Sequence, residues 1–287
     1  MKNKTKTLIA LFVVLACSLT SIVGLHAATK NPIDYSSVFD AGYYYKTYPD
    51  LQQNIGNDPS TLLDHFITIG MKEGRSGNAS FNVKAYMANN LDLLPLYGAR
   101  DLSRYYIHYI TSGQTEGRAS TYPVGSEPPA GTLSTYSTVY DTTEDRAVNV
   151  ELAAARINGM VIEPGQKFSF SNSVGTRTRA NGYVVAPSFA SGRVVSSVGG
   201  GICQVSSTIY VSMLLAGIAP SQRYAHSLPV DYVPKGLDSA IVEGYKDLTF
   251  TNKFDFPIVI NATTQEGVLT VSFLQQTEEP LSRPVNG

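Results

Sequence analysis

The chain has no tryptophan and only two cysteines among its 287 residues, and charged side chains make up just 16% of it. One of the cysteines, Cys17, lies in an N-terminal stretch with the layout of an export signal. Lys2, Lys4 and Lys6 precede an apolar run over 8–23, and Ala27-Ala28 offer small residues for cleavage. Leu15 is bulky where a lipidation box prefers a small residue, so cleavage of residues 1–28 is expected rather than a lipoprotein or an uncleaved anchor. No second long apolar run follows, which excludes a later membrane-spanning helix and places the mature protein at the cell surface or in the wall. Cys203 is then the one cysteine left, which excludes an internal disulfide. One Cys and one non-repeat His are also too few for a closed zinc site. Excess positive charge is missing too. Without the three leader lysines, 19 basic residues face 23 acidic ones, a net of −4, which argues against a nucleic-acid partner. The run Gly199-Gly200-Gly201 lacks both the lysine of a phosphate loop and the spacing of a dinucleotide fingerprint, so no cofactor is expected.

What is present falls into two parts. Over 39–118, Phe39, Tyr44, Asp50, His65, Gly70 and Glu73-Gly74-Arg75 recur as Phe81, Tyr86, Asp92, His108, Gly113 and Glu116-Gly117-Arg118. A period of this size, with Tyr, Leu and Ile at helical spacing, predicts two stacked helical hairpins with Gly70 and Gly113 as C-caps. A histidine repeated at one position inside an aromatic helix reads as a packing residue, which removes His65 and His108 from the catalytic candidates. Residues 119–131 are a linker by composition, and 278–287 a polar, disordered tail.

Between them, 132–277 reads as a strand-rich α+β domain. Helices are expected over 145–157 and after Cys203. Strands are expected over 133–140, 161–162, 168–170, 183–186, 193–195, 227–232, 239–243, 248–251, 258–262 and 268–274. The segment Val198-Gly199-Gly200-Gly201-Ile202-Cys203-Gln204-Val205-Ser206-Ser207-Thr208 places the thiol at a helix N-terminus reached through a glycine turn. Backbone N–H groups there favour a thiolate and can hold an oxyanion. The plainer reading is a small buried hydrophobe. His226 is the one histidine outside the leader and the repeats, and cysteine catalysis needs such a base. A third group usually orients the histidine, and spacing alone does not choose among Asp231, Asp238 and Asp247. The constellation carried forward is Cys203, His226 and Asp247, with Gly200, Gly201 and Gln204 at the turn and oxyanion positions.

The same stretches carry a family resemblance. Arg146-Ala147-Val148-Asn149, Pro164-Gly165-Gln166-Lys167-Phe168-Ser169-Phe170, Asn181-Gly182-Tyr183, the glycine-to-threonine block around Cys203, His226-Ser227-Leu228-Pro229-Val230 and Asp247-Leu248-Thr249-Phe250 together resemble a VanW domain. Some members of that family are described as L,D-transpeptidases that join peptidoglycan stem peptides, with the cysteine of this block as nucleophile. The resemblance implies that role for Cys203, with stem peptides as partners and neither metal nor cofactor. The His-Gly-Cys motif of the better-known L,D-transpeptidases is absent. A peptidoglycan hydrolase using the same pair and a non-catalytic wall-binding protein are the alternatives. The repeats are expected to contact wall polymer or another protein.

Overall fold

The computed structural model describes residues 33–190 and 192–276, so the export signal and the polar tail lie outside the described residues. The described residues from Asp34 onward form one compact unit, and a single continuous apolar core runs from Val38 to Phe273.

The first repeat folds as α1 (Ala41–Thr47), α2 (Pro49–Asn54), α3 (Pro59–His65), a π-helical turn Phe66–Gly70 and α4 (Met71–Glu73). The second gives α5 (Val83–Asn89), α6 (Leu94–Tyr97), α7 (Ser103–His108) and a π-helical turn Tyr109–Gly113. Asp40 and Asn82 cap α1 and α5 through their side chains, satisfying N–H groups that a helix start leaves open. The repeated residues make repeated contacts. Tyr44 Oη lies 3.0 Å from His65 Nδ1, and Tyr86 Oη lies 2.7 Å from His108 Nδ1. Arg75 pairs with Asp50 and Glu73 just as Arg118 pairs with Asp92 and Glu116.

Gly70 and Gly113 are not the C-caps expected of them. Gly70 is helical, with φ −57°, and the left-handed glycines are Gly74 (φ 76°) and Gly117 (φ 67°). Gly70 and Gly113 are glycine for a steric reason instead. A Cβ would lie 2.3 Å from Tyr44 Oη at Gly70 and 2.1 Å from Tyr86 Oη at Gly113.

The second part is an α+β assembly. It comprises β1 (Thr132–Val139), α8 (Arg146–Ile157), β2 (Met160–Ile162), β3 (Lys167–Ser169), α9 (Phe170–Val174), β4 (Val185–Ala190), β5 (Arg193–Val198), α10 (Ile202–Leu215), β6 (Thr249–Thr251), β7 (Ile258–Gln265) and β8 (Val268–Gln275). The main sheet is antiparallel in the order β1-β8-β7-β2, beside the pairs β3-β6 and β4-β5. Helices α8 and α10 pack against this sheet and each other, and α5 of the second repeat also touches α10.

The strands expected over 227–232 and 239–243 do not form. Pro229, inside the first stretch, cannot donate to a ladder. The N–H groups of His226, Ser239 and Ile241 go to side chains instead, namely Asp238 Oδ2, Ser207 Oγ and Cys203 Sγ.

The tyrosine–glycine contact is testable. Gly113→Ala should destabilise the protein by about 2 kcal/mol, since buried Tyr86 is held by His108 and cannot swing aside. Adding Tyr86→Phe removes the clashing oxygen, so thermal melts of the double variant should show less than the sum of the two single losses.

Candidate active site

Helix α10 is buried along its whole length with one exception. Of its residues, Ile202 and Gln204–Leu215 are all buried, whereas Cys203 is partly exposed. The exception follows from the turn that starts the helix. Gly200 is backed against strand β4 so closely that a Cβ would sit 2.3 Å from the Ala186 carbonyl oxygen. Gly201, the N-cap, has φ 104°, a region that side chains disfavour. Asn149 on α8 fixes the turn by donating to the Gly200 carbonyl at 2.7 Å. Glycines at these positions let the chain reverse tightly and deliver the thiol at the first turn.

Hydroxyl groups on the next turn of α10 bind the segment that completes the site. Ser206 Oγ donates to Ser239 O at 2.6 Å, and Ser207 Oγ accepts from Ser239 N at 2.8 Å. Held in this way, the segment lets Ile241 N–H donate to Cys203 Sγ at 3.4 Å. Ala240 N–H donates to Tyr224 O at 2.8 Å and so draws 224–226 alongside.

Asp238 and His226 then meet. His226 Nδ1 lies 2.7 Å from Asp238 Oδ2, and the His226 N–H donates to the same oxygen at 2.6 Å. The ring also interacts with Cys203. Arg223 braces the carboxylate, donating to Asp238 Oδ1 at 2.9 Å and to Asp238 O at 2.7 Å. Burial alone would lower the pKa of His226. Hydrogen bonds to Asp238 and Cys203, with the charges of both, push it up to about 9 from the usual 6.5. Burial alone would raise Asp238, yet hydrogen bonds from the His226 ring and N–H, with the Arg223 charge, hold it at about 2. At neutral pH the pair is an imidazolium and a carboxylate.

Asp247, the carboxylate carried forward from the sequence, does not reach the histidine. Its oxygens accept from Ser169 Oγ at 2.6 Å and from the N–H groups of Ser171 and Leu248 at 2.9 Å, tying the start of α9 to β6. Gln204 is also used differently from the oxyanion position expected. Its side chain is buried, donating to Val139 O at 2.7 Å and accepting from Arg146 Nη2 at 3.0 Å, and its N–H bonds back to Gly201 O.

Three side chains with no local sequence signal line the site. Arg223 lies three residues before His226, but its role appears only when Asp238 folds back onto it. Tyr232 stands near Cys203 and hydrogen-bonds with Ser207, and burial pushes its phenol well above the usual range, so it stays protonated. Arg146 packs beside Gly201 and faces the Tyr232 ring at 5.9 Å. Its buried Nε has no hydrogen-bond partner among the described residues. The described residues contain no cluster of His, Cys, Asp and Glu that could hold a metal.

A family model described as VanW like protein matches residues 145–274. Among curated proteins, the uncharacterized protein YoaR of Bacillus subtilis is 33% identical over 252 residues, covering 84% of this chain and 77% of that protein. This chain belongs to the VanW family. The vancomycin B-type resistance protein VanW of Enterococcus faecalis is 30% identical over 150 residues, covering 50% of this chain and 54% of that protein. The chain thus spans about half the length of this second relative. No solved structure matches. The matched VanW region begins one residue before Arg146 and includes Cys203, His226, Arg223, Tyr232 and Asp238.

The ion pair has a pH signature. His226 is raised from 6.5 to about 9, so the stability it contributes is complete below pH 6.5 and is lost as pH rises through 9. Asp238 is lowered from 3.8 to about 2, so its contribution is present above pH 3.8 and lost as pH falls through 2. Melting temperature should therefore fall between pH 6.5 and 9.5, and Asp238→Asn should flatten that fall. An equal alkaline loss in both proteins would contradict the pairing.

Proposed function

We propose that the protein is a cysteine-dependent peptidoglycan acyltransferase acting outside the cell membrane, an L,D-transpeptidase in the sense described for some VanW-family proteins. The observation that carries this reading is the exposure of Cys203 alone on an otherwise buried helix, with a charged His226–Asp238 pair at its sulfur. A thiol that served packing alone would be buried like its neighbours.

In the donor step Cys203 Sγ, as the thiolate whose proton already sits on His226, attacks the carbonyl of the third stem residue of a tetrapeptide. A C–S bond forms, the C–N bond to the terminal D-alanine breaks, and the His226 imidazolium gives its proton to the leaving amine. In the acceptor step a side-chain amine of a second stem attacks the thioester. A C–N bond forms, the C–S bond breaks and the amine proton passes to His226. The N-terminal turn of α10 and the protonated Tyr232 phenol supply hydrogen-bond donors and dipole for the oxyanion of each tetrahedral intermediate. Arg146, half-buried beside Gly201 and without an ion pair among the described residues, suits the free carboxylate of the D-alanine leaving group. Water in place of the amine would give hydrolysis, and product analysis distinguishes the two outcomes.

Incubation of purified disaccharide-tetrapeptides with the protein should yield cross-linked dimers and free D-alanine, detected by mass spectrometry. Cys203→Ala and His226→Ala should each abolish the dimers while retaining the wild-type circular dichroism spectrum. Asp238→Asn should reduce kcat by roughly a hundredfold or more, because the histidine loses its orientation and charge partner. Asp247→Asn should lower stability and leave kcat near wild type. Dimers that persist in Cys203→Ala would end the enzyme reading.

A further inference from the structure

A concave site opens at the far end of α10, between the repeats and the α+β domain. It is a cavity of about 540 Å³ with Leu102 and Ile218 among its lining. Lys72, Lys84, Arg100 and Lys253 also line it, against one carboxylate, Glu73. Glu73 is already paired with Arg75 at 2.6 Å. None of these four cations forms an ion pair among the described residues, whereas Arg75, Arg118, Arg177 and Arg223 all do. The carbonyl end of α10 contributes roughly half a negative charge, which offsets only a fraction of the four positive ones. Lys84 is half-buried, and burial pulls its ammonium below the usual value. Lys72, Arg100 and Lys253 are exposed, so the cost of enclosing an unpaired cation falls on Lys84, and an anionic ligand would offset it. General basicity does not explain this clustering, because the whole chain carries a net charge of −1.

We propose that this cleft binds a phosphate-bearing sugar or polyol, with the cations holding phosphate oxygens and Leu102 and Ile218 covering the carbon skeleton. Lysine and arginine both suit phosphate, and the volume suits a ligand of sugar-phosphate size. The length of α10 at about 1.5 Å per residue separates the cleft from Cys203 by about 20 Å. The occupant is therefore an anchoring anion and not the reacting peptide. Its source is either a free phosphate ester or one unit of a phosphodiester polymer. The inference does not depend on the chemistry assigned to Cys203.

Isothermal titration of the full chain at fixed ionic strength, with glycerol phosphate and with poly(glycerol phosphate), tests it. Binding should be measurable, and tighter per phosphate for the polymer if the polymer is the natural occupant. Equal affinity per phosphate would assign the free ester, and either pattern supports the cleft. The double variant Lys72→Ala/Lys253→Ala, at exposed positions, should weaken binding by about tenfold or more. Cys203→Ala should bind like wild type, which separates this site from the catalytic one. No binding of either probe, or unchanged affinity in the lysine variant, would overturn the proposal.

Discussion

The burial of α10 on every side but its first turn is the constraint on which the rest of the site depends. The helix runs between the main sheet, α8 and the second repeat, and its polar side chains are satisfied inside the core. Ser212 Oγ meets Ser134 Oγ at 2.9 Å, and Thr208 Oγ1 meets Thr138 Oγ1 at 2.8 Å. Such contacts fix the rotation and axial position of the helix, because a shift would orphan several buried hydroxyls together. The glycine turn fixes where the helix begins. Gly200 rests on the Ala186 carbonyl, so the loop cannot relax outward with any larger residue in its place. The thiol is held by packing, and packed interiors yield little.

Electrostatics then sets the protonation of the site along one line of alternating sign. Arg223 holds Asp238 as a carboxylate, Asp238 holds His226 as an imidazolium, and the imidazolium faces the sulfur. Each group compensates the burial of the next, and for that reason charged side chains tolerate an environment that would neutralise any one of them alone. In the proposed reaction, this arrangement would give the histidine a proton for the leaving amine and the attacking sulfur a cation to pair with. Arg146 departs from this pattern. It faces a neutral amide and an aromatic ring and pairs with no carboxylate among the described residues, so in the proposed reaction a charge brought by substrate would complete it.

Much of this was legible in the sequence, and the failures have physical causes. The repeats were visible because their contacts are local and duplicated. The thiol at a helix start was visible because a glycine run before an apolar segment has few other uses. The orienting carboxylate was not visible. Asp231, Asp238 and Asp247 all follow His226 within reach of a chain reversal, and only the docking of 239–241 onto Ser206 and Ser207 decides in favour of Asp238. The strands expected at 227–232 and 239–243 failed for the same reason. Alternating apolar residues suggested a ladder, but their N–H groups bond to side chains that are distant in sequence. Gly70 and Gly113 sit where helix caps are common, and the tyrosine hydroxyls that require them lie 26 and 27 residues earlier in the chain.

The central claim is that Cys203 forms a covalent acyl intermediate with His226 as its proton donor. Intact-protein mass spectrometry of the protein quenched in acid during reaction with a tetrapeptide donor tests it most directly. A mass increase equal to the donor less D-alanine should appear, map to the peptide containing Cys203 and discharge when acceptor amine is added. An unmodified Cys203 in a sample that has consumed donor, or an adduct carried by another residue, would contradict the claim.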